Sequence, residues 1–278
     1  MAFIEQDLTR LRTIVAAAAE AEIVPRFRKI ARENERVKSG YLDLVTDADE
    51  QAEWHMRDAV AKQFPDALFV GEESVARDKS LLAKIKDADL AIIIDPVDGT
   101  GNFAWGLPLF GVIAAVVEKG ETVGGLIYDP LGKEWIGAMR GAGAWAMAAD
   151  GSLRDLKVAD PVPVAKMNGV CSWYLMDEPQ RSQVVANLAK VTAAFAYRCA
   201  AYEYRLIADG RCHFGFHWKL MPWDHAAGVL IHAEAGGYSA CLDGTPYAPT
   251  KFSGGIMSAP DKVSWLALHA AFLNSELS

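Results

Sequence analysis

Three short clusters of carboxylates stand where predicted strands end or predicted helices begin. They are Gly71-Glu72-Glu73-Ser74, the stretch from Asp95 to Phe103, and Trp223-Asp224-His225, which opens a predicted helix that ends at Gly236. Each cluster taken alone has a plain interpretation as a solvated surface or a helix cap. Several such clusters together would instead form a hard oxygen site for Mg²⁺, Mn²⁺ or Ca²⁺. Crowded carboxylates are costly unless a cation neutralises them.

The middle cluster combines cation ligands with a seat for phosphate. A proline-containing turn directs the carboxylates of Asp95 and Asp98 at different angles, and the carbonyl of Val97 between them is a further candidate ligand. Gly99 permits close backbone approach, and the free N–H groups of Gly99 and Thr100 would open a short helix, a natural place for an anion. Cations and a phosphate seat this close together indicate phosphoryl transfer.

Hydrophobic periodicity places these clusters in an α/β chain. We expect an N-terminal lobe over residues 1–150, built from helices and an antiparallel sheet, and a C-terminal lobe over 151–278 in which strands and helices alternate. Two lobes predict a cleft. Predicted helices cover about 7–34 with a break at Pro25, 47–64 after a cap at Thr46 or Asp47, and about 180–190, 202–209, 223–235 and 260–274. Predicted strands cover 67–71, 90–94, a meander over 109–147, and runs near 168–173, 194–197, 212–216, 237–241 and 253–258.

Composition narrows the class of protein. The 278 residues are 51% hydrophobic and 23% charged, which is typical of a globular chain. The formal net charge of -8 argues against a nucleic-acid binder, which usually shows a basic face. No apolar stretch has the length of a membrane span or the character of a signal peptide, so we expect a cytoplasmic protein. We expect reduced and mostly buried thiols at Cys171, Cys199, Cys212 and Cys241.

These residues resemble the inositol monophosphatase family of magnesium-dependent, lithium-sensitive phosphatases. All three carboxylate clusters match its pattern in order and at comparable separations, and Val45-Thr-Asp-Ala-Asp49 is similar to its upstream element. Lys38 matches the lysine of its mobile metal-site loop. The resemblance covers nearly the whole chain. It implies an inositol monophosphatase-like layered α/β/α/β/α sandwich and a homodimer.

The resemblance also implies the metal ligands. Glu72, Asp95 and the carbonyl of Val97 would hold one metal, and Asp95, Asp98 and Asp224 would hold a second. Glu72 would help to bind a weaker third. The expected cofactor is therefore Mg²⁺, as two or three ions, and Mn²⁺ or Ca²⁺ could occupy the same sites.

The mechanism that the resemblance implies needs no covalent phosphoenzyme. A metal-activated water, aligned by Thr100, attacks phosphorus directly, and Asp49 orients the Thr100 hydroxyl. Glu72 takes part in this catalytic set. The residues expected to contact the phosphate or the substrate beside the metals are Asp98, Gly99, Thr100 and Asp224. Of the neighbouring acids, Asp47 is interpreted as the helix cap, and Glu73 as either a contact of metal-bound water or a solvated or structural residue.

The sequence departs from the family's pattern where substrates are recognised. Inositol-hydrolysing members line the sugar pocket with an arginine-serine-x-glycine-serine/threonine-alanine segment, and here the turn reads Ala201, Tyr202 and Glu203. A glutamate that contacts inositol hydroxyls aligns, by count, with His217. We assign all four positions to the substrate pocket. These replacements should change which polyol fits. A site that loses hydrogen bonds to substrate hydroxyls can lose much of its discrimination between substrates.

We therefore expect a Mg²⁺-dependent phosphatase acting on a small phosphate monoester. Inositol monophosphate is the leading substrate by family, and histidinol phosphate, fructose 1,6-bisphosphate and 3′-phosphoadenosine 5′-phosphate are alternatives. The partner would be a small phosphorylated metabolite, with no nucleic acid and no membrane. Two rivals come from other classes: a non-catalytic protein that binds a phosphorylated metabolite, and a glycosidase with paired carboxylates and no metal.

Overall fold

The computed structural model describes residues 3–29, 36–40 and 43–273 of the chain. Its helices are α1 (Glu5–Ala18), α2 (Asp47–Gln63), α3 (Glu72–Arg77), α4 (Ser80–Lys84), α5 (Thr100–Ala104), α6 (Gln180–Asn187), α7 (Ala200–Ala208), α8 (Pro222–Glu234) and α9 (Lys262–Leu273). Its strands are β1 (Arg36–Gly40), β2 (Asp43–Val45), β3 (Leu68–Gly71), β4 (Ala91–Asp98), β5 (Gly111–Glu118), β6 (Glu121–Asp129), β7 (Glu134–Met139), β8 (Ala144–Met147), β9 (Leu153–Asp155), β10 (Asn168–Cys171), β11 (Ala193–Phe195), β12 (Phe214–His217), β13 (Tyr238–Cys241) and β14 (Ile256–Ala259).

A seven-stranded sheet forms the centre of the first half of the chain. Its strands follow sequence order from β3 to β9; β3 and β4 are parallel, and each later neighbour is antiparallel. Consecutive residues of β4 point to opposite faces, as the pleat requires. Ile92 and Ile94 pack with α1 and α2, whereas Ile93 packs with α7 and α8. Both faces are therefore covered, which explains why the β4 sequence is a continuous β-branched run.

A five-stranded sheet of order β11-β10-β12-β14-β13 forms the centre of the second half. Strand β10 is parallel to β11 and β12, and the other pairings are antiparallel. Phe214 and Phe216 on β12 pack beneath Phe272 of α9 on the outer face. Helices α7 and α8 contact strands of both sheets and lie between them. The layers are helix, sheet, helix, sheet and helix, which confirms the predicted sandwich.

Several sequence-predicted elements have different boundaries in the structure. Helix α1 ends at Ala18 and continues as a π-helical turn (Ala19–Ile23) and a 3₁₀ turn (Val24–Arg26) around the predicted break at Pro25. The predicted lobe boundary at residue 150 stays a prediction, and β9 carries the first sheet on to Asp155. All four cysteines are buried free thiols, as expected. Over the described ranges, every helix falls short of the length or the apolar character that crossing a bilayer requires.

Candidate active site

Three carboxylates from two distant parts of the chain meet at one point. One oxygen of each of Asp95, Asp98 and Asp224 lies within 4.8 Å of the others. Asp95 and Asp98 come from the end of β4, and Asp224 comes from the first turn of α8, after Pro222 at its first position. Asp95 and Asp98 are buried and Asp224 is half-buried. The seven-stranded sheet and the middle helix layer thus supply one cluster.

A bulge in β4 explains how Asp95 and Asp98 can share a face. Residues three apart on a regular strand point to opposite sides. Here Asp95 pairs with Ile113 and Asp98 with Gly111, so three steps on β4 match two on β5 and the alternation shifts by one. The N–H of Val97 donates to Oδ1 of Asp95 at 3.0 Å and fixes the bend. The proline-containing turn predicted from the sequence is this bulge.

The cluster is crowded with negative charge. Burial raises the pKa of Asp95 well above its ordinary value, and Glu72, Asp98 and Asp224 raise it further. Burial likewise raises the pKa of Asp224, with Asp98 and Glu72 adding to the effect. Glu72, at the start of α3, adds to the negative charge that acts on both carboxyl groups. Acids crowded in this way favour a bound cation.

Helix α2 reaches the cluster through Asp49. Oδ2 of Asp49 accepts from the N–H of Thr46 at 2.9 Å and from its hydroxyl at 2.6 Å, so Thr46, not Asp47, is the N-cap. Oδ1 of Asp49 lies 2.9 Å from the hydroxyl of Thr100, which is also 2.9 Å from the carbonyl of Val97. Asp49 is fully buried. Its carboxylate is thus within hydrogen-bond distance of the Thr100 hydroxyl, and the predicted orienting role of Asp49 stays a prediction.

A second acid on the same face of α2 holds the segment that carries Glu72. Glu53 is fully buried one turn after Asp49, and its Oε2 accepts from the N–H of Glu73 at 2.7 Å. Its Oε1 accepts from the hydroxyl of Ser74 at 2.6 Å. A Cβ at Gly71 would lie 2.2 Å from Oε2 of Glu53, so only glycine leaves room for this carboxylate. Glu73 itself is buried, which excludes its solvated interpretation.

The phosphate-seat residues and α7 meet at Asp98. Its Oδ2 accepts from the N–H of Ala201 at 2.5 Å and from the thiol of Cys199 at 3.0 Å. Burial raises the pKa of Asp98 to about 6, and these two donors oppose the shift. Gly99 has φ 86°, and a Cβ there would lie 2.8 Å from the carbonyl of Leu109. Gly99 and Thr100 open the short helix α5, as predicted.

The residues at the predicted sugar-pocket positions contact other groups of the protein. The hydroxyl of Tyr202 donates to Oδ2 of Asp129 at 2.8 Å, and Ala201 contributes only its backbone N–H to Asp98. Glu203 and His217 are 3% and 4% exposed and face one another, with 3.3 Å between Oε2 and Nδ1. Burial raises the pKa of Glu203 to about 8 and lowers that of His217. Their contact with a substrate stays a prediction.

Two further predicted residues are Lys38 and Val97, and other residues near the site were not predicted from the sequence. Lys38 lies on β1, and its side chain is outside the described part of the structure. The carbonyl of Val97 points to Thr100 and retains a second lone pair. Sequence reasoning missed the contacts of Glu53 with the Glu73 segment and of Cys199 with Asp98. For Glu53 the signal was its spacing of four from Asp49 on a predicted helix, which places both acids on one face.

The donor set fits a hard divalent cation. Asp95, Asp98, Asp224 and Glu72 offer only carboxylate oxygens, and the Val97 carbonyl is the neighbouring neutral oxygen. Such all-oxygen sites suit Mg²⁺, Mn²⁺ or Ca²⁺ and not a soft metal. The raised pKa values of the buried acids point the same way, because a cation would supply the charge that the protein around them lacks.

Comparison with known proteins agrees with this geometry. The chain is 33% identical over 236 residues to the Nus factor SuhB of Haemophilus influenzae, which covers 82% of each chain. It is 30% identical over 214 residues, 74% of each chain, to a fructose-1,6-bisphosphatase/inositol-1-monophosphatase of Thermotoga maritima. The crystal structure of extragenic suppressor protein suhB from Bartonella henselae superposes with a TM-score of 0.78 at 26% identity, covering 95% of this chain and 98% of that one. A family model described as the inositol monophosphatase family matches residues 5–275, and the chain belongs to that family.

Proposed function

We propose that this protein is a Mg²⁺-dependent phosphatase that hydrolyses a small phosphate monoester. The observation that carries the proposal is the convergence of Asp95, Asp98 and Asp224 beside the paired side chains of Asp49 and Thr100. Family membership and the phosphatase names of relatives support the reaction class. The homodimer expected from the sequence stays a prediction.

In this proposal the carboxylates hold the cations, with Glu72 and the Val97 carbonyl on one side and Asp98 and Asp224 on the other. Bound Mg²⁺ would neutralise the phosphate oxygens and make a water acidic enough to attack phosphorus. Thr100 has one hydroxyl proton, which it directs at Asp49 or Val97. Its oxygen can then accept a hydrogen bond from the attacking water and orient it.

The α5 backbone would bind the phosphate. The N–H groups of Gly99, Thr100 and Gly101 belong to the cap and first turn of α5, which leave backbone donors without intrahelical partners. Gly99 allows this turn to approach Leu109 closely, because its positive φ and lack of Cβ avoid a clash. Several substrates named for the family remain candidates, among them inositol 1-phosphate and fructose 1,6-bisphosphate, after which the Thermotoga maritima relative is named.

A regulatory binding role is the second candidate function. It is favoured by the name of the Haemophilus influenzae relative, a Nus factor. The full set of acids around Asp95 supports hydrolysis over this alternative, because a protein that only binds a phosphorylated metabolite has no need of Asp49 beside Thr100.

Chelation separates the two functions. Phosphate release from a panel of monoesters should be lost in EDTA and restored by Mg²⁺ if the protein is the proposed phosphatase. A glycosidase or a binding protein would show no Mg²⁺-dependent release of phosphate. Failure of every ester in the panel, with Mg²⁺ present and the protein folded, would contradict the proposal.

A further inference from the structure

A cavity of about 740 Å³ lies between helix α1 and strands β6 to β9 of the seven-stranded sheet. This volume is within the range of about 300–1,000 Å³ that is typical of small-molecule sites. Helix α8, which carries Asp224, packs on the opposite face of the same sheet. Among the residues that the structure describes, the cavity lining and the carboxylate cluster have none in common. The cavity is therefore separate from the candidate active site.

The floor of the cavity is apolar and contains an indole ring. Leu126, Gly137 and Trp145 are neighbours across β6, β7 and β8. A Cβ at Gly137 would lie 2.5 Å from Cζ2 of Trp145 and 3.0 Å from Cδ2 of Leu126, so the two side chains meet over the glycine. Met139 follows on the same face of β7, and Leu153 in the lining is 67% exposed. The floor thus suits a flat apolar group.

One face of α1 forms the wall above this floor and supplies a cation. Glu5, Leu8 and Arg12 recur at helical spacing, and all three line the cavity. Nη1 of Arg12 donates to Sδ of Met147 at 3.3 Å, and a thioether is a weak acceptor. Within the described ranges, the guanidinium of this half-buried residue has no carboxylate partner. Its charge and its remaining donors are therefore available to an anion.

The other charged groups of the lining limit the charge of a ligand. Arg140 donates from Nε and Nη2 to one backbone carbonyl, at 2.9 and 2.6 Å, and Arg154 is paired with Asp209. These two cations already have partners. Glu5 and Asp155 add negative charge to the lining, and they would repel an anion with several charges, such as a phosphate ester. The cavity is therefore suited to a ligand with a single negative charge.

We propose that this cavity is a second ligand site, which binds a small monocarboxylate with a flat apolar ring. The ring would lie on Trp145, and the carboxylate would accept hydrogen bonds from Arg12. Met147, which Arg12 contacts, is two residues from Trp145 on the same face of β8, a separation of about 6–7 Å. A ring and a carboxylate joined by a short methylene linker span this distance. Because the two sites use different residues, this proposal is independent of the phosphatase function.

The test is calorimetric titration, in EDTA, with 2-naphthylacetate and its uncharged analogue 2-naphthylacetamide. EDTA removes divalent cations, which would otherwise bind the carboxylate probe at the active site. The unaltered protein should bind the acid about tenfold more tightly than the amide, the effect of one charge-assisted hydrogen bond. Arg12→Gln should abolish this difference. Arg10→Gln, which removes an exposed cation of the same helix that is paired with Asp7 at 3.0 Å, is the matched control and should retain the difference.

Trp145→Leu tests the floor separately from the charge. Loss of the indole should weaken binding of the acid and of the amide by the same factor, about tenfold. If that variant does not fold, Leu153→Ser takes its place and should also weaken both probes equally, because the exposed Leu153 contributes to the cavity more than to the core.

Three results would overturn the proposal of a second ligand site. They are equal affinity of the acid and the amide for the unaltered protein, an equal loss of acid binding in Arg12→Gln and Arg10→Gln, and binding of neither probe. Absence of Mg²⁺-dependent hydrolysis of any phosphate ester, by contrast, would contradict the phosphatase proposal alone.

Discussion

The predicted metal side of the site and its predicted leaving-group side are built by opposite means. On the metal side, Asp95, Asp98 and Asp224 converge, and their charge is crowded in a buried place. On the leaving-group side, Glu203 and His217 turn toward one another, and the Glu203 carboxylate accepts from the backbone N–H of Tyr197. The buried carboxylate cluster is unfavourable without a bound cation, whereas Glu203 already has a hydrogen-bond partner within the protein.

The two sides differ in the binding energy that they can supply to a substrate. An uncompensated set of buried carboxylates gains most when a cation binds, so chemistry is concentrated there. On the other side, the Glu203 carboxylate accepts from the N–H of Tyr197 and the Tyr202 hydroxyl donates to Asp129, so these groups have less hydrogen-bonding capacity left for a substrate.

The largest effect expected is from Asp95→Asn. Loss of a shared ligand should reduce kcat by roughly 10³-fold, the upper range for removing one group that stabilises developing charge. The variant should be at least as stable as the original protein in EDTA, because the substitution removes one member of a repelling, buried cluster. Steady-state kinetics and thermal unfolding measure the two effects. Unaltered turnover would refute the assigned role of Asp95.

Thr100→Val separates orientation of the water from metal binding. The substitution keeps the side chain's shape but removes the hydroxyl that joins Asp49 to Val97. We expect kcat to fall by about 10²-fold, a typical contribution of a positioned proton-transfer group. Mg²⁺ binding, measured by calorimetry, should change little. A variant with full activity, or one that loses only Mg²⁺ affinity, would contradict this division.

Glu53→Gln tests the support behind the metal side. The change disturbs the bonds to Glu73 and Ser74 and should cost about 1–3 kcal/mol of stability. Because those bonds hold the turn that carries Glu72, Mg²⁺ affinity should also fall by about 10–100-fold, as for other partners of metal ligands. Calorimetric titration with Mg²⁺ gives the affinity independently of turnover.

The matched control for Glu53 is Glu50→Gln on the more exposed face of α2, where Glu50 lies 3.6 Å from Arg77. This variant should bind Mg²⁺ as the original protein does, since exposed ion pairs contribute little. Gly71→Ala should reproduce the Glu53→Gln defect, because the new Cβ would displace the Glu53 carboxylate. Equal Mg²⁺ affinities in all these variants would show that Glu53 is only a folding residue.

The smallest effect expected is a pH dependence confined to the metal side. Burial raises the pKa of Asp98 from 3.8 to about 6. In the metal-free protein this group therefore stabilises the fold below pH 3.8, and the stabilisation is lost as the pH rises through 6. Cation binding needs the ionised form, so Mg²⁺ affinity should fall about tenfold between pH 7 and pH 5.

The Mg²⁺-induced shift of the unfolding temperature, measured at pH 5 and at pH 7, reports this change in affinity. Equal shifts at the two pH values would contradict the prediction.

The α/β class and the positions of the carboxylate clusters could be predicted from local signals, whereas the layered sandwich was implied by the family resemblance. A β-branched run that ends in Asp95 indicates a buried strand, and Gly236 marks the end of the helix that begins near Asp224. The shared face of Asp95 and Asp98 was less visible, since it depends on a bulge whose register only the partner strand β5 reveals.

The inward orientation of the leaving-group side could not be read from the sequence. Glu203 was assigned to the substrate pocket by alignment, but its carboxylate bonds to backbone groups five and six residues earlier, around a left-handed Arg198. Such contacts depend on tertiary structure and leave no periodic signal.

The central claim is that the carboxylates of Asp95, Asp98 and Asp224 hold divalent cations. Anomalous diffraction from crystals grown with Mn²⁺ tests it without reference to any substrate. We expect strong manganese peaks within about 2–2.5 Å of oxygens of Asp95 and Asp224, with Glu72 or the Val97 carbonyl completing one of the sites. A fully ordered cluster with no manganese peak among these side chains would contradict it.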